Sequence, residues 1–159
     1  MHKPTKSTWV VTAFFLFTIF SAGGATVESF VNYPTWLLIG PDEFKAYHQA
    51  LGPRIIITMV LPFLLSNILN IILLWHRPQV IPRWTVWASL LLLLIIWISA
   101  ITIQFPIQGQ LGTSGFSKEA IERLIITDIW LRSIPGYIRL GIVVWMMHTC
   151  LKRREKVFA

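Results

Sequence analysis

WTVWASLLLLLIIWISAITIQF, residues 84–105, contains no charged side chain and is long enough to cross a bilayer as a helix, which takes about 20 residues at about 1.5 Å each. Three further stretches read the same way, so the spans are 9–31, 55–74, 84–105 and 130–151. The chain is 55% hydrophobic and only 13% charged, too little polar surface to cover a soluble core of this size. The expected fold is all-α: residues 1–159 form a single polytopic membrane domain, a bundle of four transmembrane helices. Short amphipathic helices are expected in the two outer connections.

Charge position supports this reading. With four spans, the two termini and the middle loop share one side. That side holds Lys3, Lys6, Arg77, Arg83, Lys152, Arg153, Arg154 and Lys156 against a single acid, Glu155. The other side, counted with its helix ends, holds Glu28, Asp42, Glu43, Glu119, Glu122 and Asp128, balanced by Lys45, Arg54, Lys118, Arg123, Arg132 and Arg139. The net charge of +7 therefore resides on one side and reads as an insertion signal, not a nucleic-acid surface. Both termini are expected in the cytoplasm of a bacterial inner membrane. The first apolar stretch is too long for a secretory leader and is read as a retained span. Cys150 is the only cysteine, which excludes an internal disulfide and a CxxC redox pair.

Local signals subdivide the chain. Ser21-Ala-Gly-Gly-Ala25 provides a notch of small residues for helix packing. Asn32–Trp36 reads as an extended or turn segment. Pro41–Ala50 reads as a short helix with acids in its first turn and Gly52-Pro53 at its end. Pro62 is expected to kink the second span, and Pro106 to break the third. Ser117 is a candidate N-cap for a polar helix that bends near Pro135-Gly136 and continues as the fourth span. Asn67 and Asn70 share one helix face and are expected to point into the bundle.

The candidate site follows from charge inside apolar helices. A charged side chain near mid-membrane costs about 2.5–3.5 kcal/mol on insertion scales, so it is normally paired or lines a cavity. Asp128 and Arg132 are four residues apart and can pair along one helix. Glu28 is expected at the depth of Arg139 and is its expected partner. Together with Asn32, Gln104 and Gln108, these residues are expected to line an outward-facing pocket, with His48 over it. In the catalytic reading, Glu28, His48 or Asp128 abstracts a proton. Arg132, Arg139 and the amides of Asn32, Gln104 and Gln108 bind the substrate and stabilise the anion. The competing reading is a buried ion-pair network that only specifies packing.

No metal site is assigned. His76 and His148, near the inner face, are a conceivable bis-His haem pair, and Glu28, His48 and Asp128 a conceivable single-metal set. No HExxH, GxSxG, Walker or dinucleotide motif is present.

The outer half resembles small four-helix membrane proteins of the anthrone-oxygenase-like family. The resemblance lies in Thr102-Ile-Gln104-Phe-Pro106-Ile-Gln108, in Ile121–Arg132 with Asp128 and Trp130, in Arg139, and in Gly24–Pro34 at the end of the first helix. The chain departs from the family pattern in carrying Gln on both sides of Pro106, and Pro135-Gly136 where a continuous helix is expected. The resemblance implies oxidation of polycyclic aromatic anthrones to quinones, with Gln104, Gln108, Asp128, Arg132 and Arg139 lining the working site. The alternative class is a non-enzymatic lipid or quinone binder, or a partner in a membrane complex. The expected partners are the lipid bilayer, a small apolar or aromatic ligand and, in a homo-oligomer, further copies of the chain.

Overall fold

The computed structural model describes the backbone of residues 6–158 and the side chains of residues 7–153. Lys3 and the side chains of Lys6, Arg154, Glu155 and Lys156, part of the basic side, lie outside them. Four long helices account for nearly all of the described chain: α1 (Ser7–Trp36), α2 (Pro41–His76), α3 (Arg83–Ser114) and α4 (Lys118–Arg153, helical on to Phe158). Each is long and apolar enough to cross a membrane. They form an up-down bundle in which α1 packs against α2 and α4, and α3 against α2 and α4, every neighbour antiparallel. The all-α four-helix architecture expected from the sequence is therefore the observed one.

The helices have 30 to 36 residues, or about 45–54 Å of length, against a hydrocarbon core of about 30 Å. Their outer turns must project beyond it. The amphipathic outer helices are present as Pro41–Ile55 and Lys118–Asp128. Each continues into a span without a loop. Ser117 caps the second of them, its hydroxyl accepting from the Ala120 amide at 3.3 Å. Gly115 closes α3 with φ of 85°, a conformation that suits glycine because a Cβ there would be strained.

Several expected breaks are absent. Asn32–Trp36 is helical rather than extended, Pro53 lies inside a helix, and α3 runs through Pro106 to Ser114. In place of breaks, each long helix contains one π turn: Glu28–Asn32, Ile56–Val60, Ala100–Gln104 and Ile129–Ser133. Each π turn ends two residues before a proline: Pro34, Pro62, Pro106 and Pro135. The residue preceding each proline donates its amide five residues back: Tyr33 to Glu28, Leu61 to Ile56, Phe105 to Ala100 and Ile134 to Ile129. Proline has no amide hydrogen, and its ring collides with the carbonyl four residues earlier. The extra residue in the turn relieves that collision and keeps the neighbouring amide satisfied.

Two apolar clusters close the ends of the bundle. The inner one is built on Val11, Phe14, Phe15, Leu73, Ile81, Val86, Val143 and Met146. The outer one holds Tyr33, Trp36, Phe44, Ile107, Leu111, Ala120, Ile121 and Leu124. Between them the buried side chains are largely polar, including Ser21, Ser66, Asn67, Ser89, Ser99, Gln104 and Asp128. Many large apolar residues, Leu16, Ile68, Leu91 and Ile138 among them, instead face outward. This distribution suits helices surrounded by lipid, where the periphery is the apolar phase.

Cysteines introduced at the exposed loop and helix-end positions Gln79 and Ser114, in a Cys150→Ser background, should label from opposite faces of sealed vesicles. Labelling of both from one face would refute the four-span arrangement.

Candidate functional site

The polar layer divides into an outer network and a deeper arginine site. The outer network starts at His48, whose Nε2 lies 2.7 Å from Gln108 Oε1. Gln108 Nε2 donates to the buried Tyr33 hydroxyl at 3.4 Å, and Arg132 Nη1 donates to the same oxygen at 3.3 Å. Arg132 Nη1 also lies 2.9 Å from Asp128 Oδ1, the intrahelical ion pair expected from their spacing. Asp128 Oδ1 has no well-directed hydrogen bond, so this contact is an ionic one. Ser133 donates to Asp128 Oδ2 at 3.1 Å, and its hydroxyl lies 3.2 Å from that of Ser29 on α1.

The π turns create two of these contacts. A π turn closes over five residues, so side chains at i and i+5 fall on one face, which a regular α-helix does not allow. Asp128 and Ser133 bracket one π turn in this way. Ser99 and Gln104 bracket another, with Ser99 donating to Gln104 Oε1 at 2.9 Å. The sequence reading missed this. The signal available was the recurrence of a proline six residues after the start of each π segment, once in every span.

Glu28 is 3% exposed and accepts from Asn32 Nδ2 at 2.5 Å. It does not meet Arg139. The expected Glu28–Arg139 ion pair is not formed: Arg139 lies seven residues, about two helical turns or about 10 Å, deeper than Arg132 on α4. Arg139 is instead 4% exposed and held by hydroxyls. Its Nε donates to Ser89 and its Nη2 to Ser66, each at 3.0 Å, and its guanidinium sits 5.8 Å from the Phe14 ring centre. Asn70 Nδ2 also donates to Ser89, at 3.2 Å. Asn67, in the amide orientation that satisfies both its atoms, accepts from Trp97 Nε1 at 3.0 Å. Both asparagines thus point inward and bridge α2 to α3.

A cavity of about 140 Å³ lies between the four helices at this level. Every π turn contributes to its wall: Ser29 from the first, Met59 and Val60 from the second, Ala100 from the third, Arg132 and Ser133 from the fourth. Ala22 and Ala25 of the small-residue run also line it, while the position of a Cβ on Gly24 would lie 3.4 Å from Met59 of α2. The remaining wall is mainly apolar, including Phe63, Ile96, Trp97 and Leu140.

Of the eight residues expected to converge, Asp128, Arg132 and Arg139 line this cavity, and Glu28, Asn32, His48, Gln104 and Gln108 are not part of its lining. The buried aromatic cluster of Tyr33, Trp36 and Phe44 contributes no residue to the cavity lining. The cavity's exposed rim residues, Phe105 and Tyr137, lie on the membrane-facing sides of α3 and α4. Tyr137 hydrogen-bonds Thr26 at 3.0 Å across the seam between α4 and α1, and Phe105 packs on Trp97.

The conceivable metal sets do not assemble. Glu28, His48 and Asp128 are each engaged by a different neighbour. Among the described residues no three His, Cys, Asp or Glu side chains are grouped to hold a metal ion. His76 and His148 are exposed on α2 and α4, which are not adjacent in the bundle. Neither pair nor triad fits the group proposed for it.

No protein-family model, curated protein or solved structure matches this chain.

Arg132→Gln strands the Asp128 carboxylate without its cation and should cost about 3–5 kcal/mol. The double variant Asp128→Asn/Arg132→Gln should recover much of that loss. Reversible unfolding in mixed micelles measures both, and additive losses would show that the pair is not coupled.

Proposed function

We propose that this is an integral membrane protein of a bacterial plasma membrane, with cytoplasmic termini, that binds a small, largely apolar molecule inside the bundle. The observation that carries the reading is the cavity itself, walled by all four π turns and apolar except at a few ionic and hydroxyl groups. Ligand sites commonly combine such apolar walls with a few convergent polar groups. The excess of Lys and Arg on the side of the termini and middle loop supports the orientation. Access is from the bilayer, past the rim at Phe105 and Tyr137, which suits a ligand that partitions into lipid.

A catalytic version of this reading is favoured by one observation: Asp128 and its ion-pair partner Arg132 both line the cavity. In that version Asp128 removes a proton from an acidic C–H of a polycyclic aromatic substrate, and Arg132 stabilises the carbanion. Molecular oxygen then oxidises the CH₂ carbon to a carbonyl, with one oxygen atom entering the product and the other leaving as water. This is the chemistry that the anthrone-oxygenase-like motifs imply. Glu28 and His48 are not among the residues that line the cavity, so the base is assigned to Asp128 alone.

Gly136 lines the cavity, and a Cβ added there meets nothing within 4 Å, so Gly136→Phe projects a ring into empty space. Protein purified in mild detergent should carry an extractable apolar molecule detectable by mass spectrometry. The Gly136→Phe variant should elute as the same species without it. Equal retention by both would overturn the binding reading. If anthrone is oxidised, Asp128→Asn should lower the rate by at least about a hundredfold, the usual contribution of a positioned base, while leaving ligand retention intact. An unchanged rate would leave only the binding role.

A further inference from the structure

Among the described residues, Arg139 is the one buried cation that no carboxylate balances. Among the described residues its ion-pair shell contains no carboxylate; the buried pair in this region is Asp128 with Arg132. A guanidinium has five N–H donors. Arg139 directs Nε to Ser89 and one Nη2 hydrogen to Ser66, and both acceptors are neutral hydroxyls. One face of the group is covered by Phe14. The two Nη1 hydrogens and the second on Nη2 have no protein acceptor, and the side chain borders the cavity.

A second orphan lines the same cavity. Thr18 is 1% exposed and lines the same cavity, and its hydroxyl has no hydrogen-bond partner. Thr18 follows Phe14 by four residues on α1, so it stands one helical turn outward on the face that carries the ring against Arg139. A lone threonine in a helix ordinarily returns its hydroxyl to a carbonyl in the preceding turn, as Thr26, Thr58 and Thr102 do here. Thr18 does not. It is a free O–H donor near a free guanidinium edge.

We infer that the ligand in the cavity is an amphiphile with a carboxylate head that docks on the Nη edge of Arg139 and the hydroxyl of Thr18. Its apolar body lies against Ala22, Ile96, Trp97 and Leu140. This rests on the reading of the cavity as a ligand site and adds the chemistry of the head group. A planar two-oxygen anion matches the fork of a guanidinium, and it satisfies in one step the charge and the donors that the bundle leaves open. A neutral apolar ligand would leave all of them unmet.

The full chain in non-ionic detergent, titrated calorimetrically with naphthoate, oleate and their methyl esters at a pH where both acids are ionised, tests this. For at least one pair the acid should bind at least about tenfold more tightly than its ester, as expected for charge-assisted hydrogen bonds. Preference within the naphthoate pair assigns a ring-bodied ligand, and within the oleate pair a chain-bodied one. Thr18→Val preserves shape and removes only the hydroxyl, so it should weaken acid binding and leave ester binding unchanged. Arg139→Gln should abolish the preference; if that variant does not fold, the acid–ester comparison and Thr18→Val decide. Esters binding as tightly as acids would overturn the anion site while leaving the cavity reading intact. No binding by any of the four probes would overturn both.

Discussion

Inside a bilayer, no water is available to satisfy a backbone amide, and this fixes how the chain can tolerate its prolines. Each long helix has one that follows a π turn, at Pro34, Pro62, Pro106 and Pro135, and each would displace a carbonyl from a regular helix. A break would expose unpaired amides to lipid. The π turn is the alternative, because it widens the helix by one residue while the amide before the proline still finds an acceptor. The same device recurs in all four helices, and each copy supplies part of the cavity wall.

The polar contacts follow from that geometry. Widened turns bring residues five apart onto one face, which places Ser133 against Asp128 and Ser99 against Gln104. Around them, Tyr33 joins elements far apart in the chain by accepting from both Gln108 and Arg132. The inward asparagines and serines supply the interhelical hydrogen bonds on which membrane helices rely when burial of apolar surface offers no net drive. The two buried cations have different environments: Arg132 is neutralised along its own helix, whereas Arg139 is solvated by hydroxyls and an aromatic ring.

Much of this was legible in the chain. The four spans, the inward asparagines, the Ser117 cap and the Asp128–Arg132 pair depend on periodicity and on spacings of three or four residues, which the sequence displays directly. The prolines were visible but read as breaks, kinks or bends, because in water a helix interrupted by proline often ends or bends there. The lipid environment removes that option. The Glu28–Arg139 pairing failed for another reason: equal apparent depth was inferred from separate helices, whose register a single sequence does not contain.

By itself, then, the sequence determined the number of spans, their apolar periphery and the presence of charge within them, since these follow from composition and local order against a bilayer of fixed thickness. Only the tertiary structure decided which charges meet and where the cavity lies. Those properties depend on the rotation and register of four helices relative to one another. Here four π turns set them, each shifting the faces beyond it in a way that no regular helical period can predict.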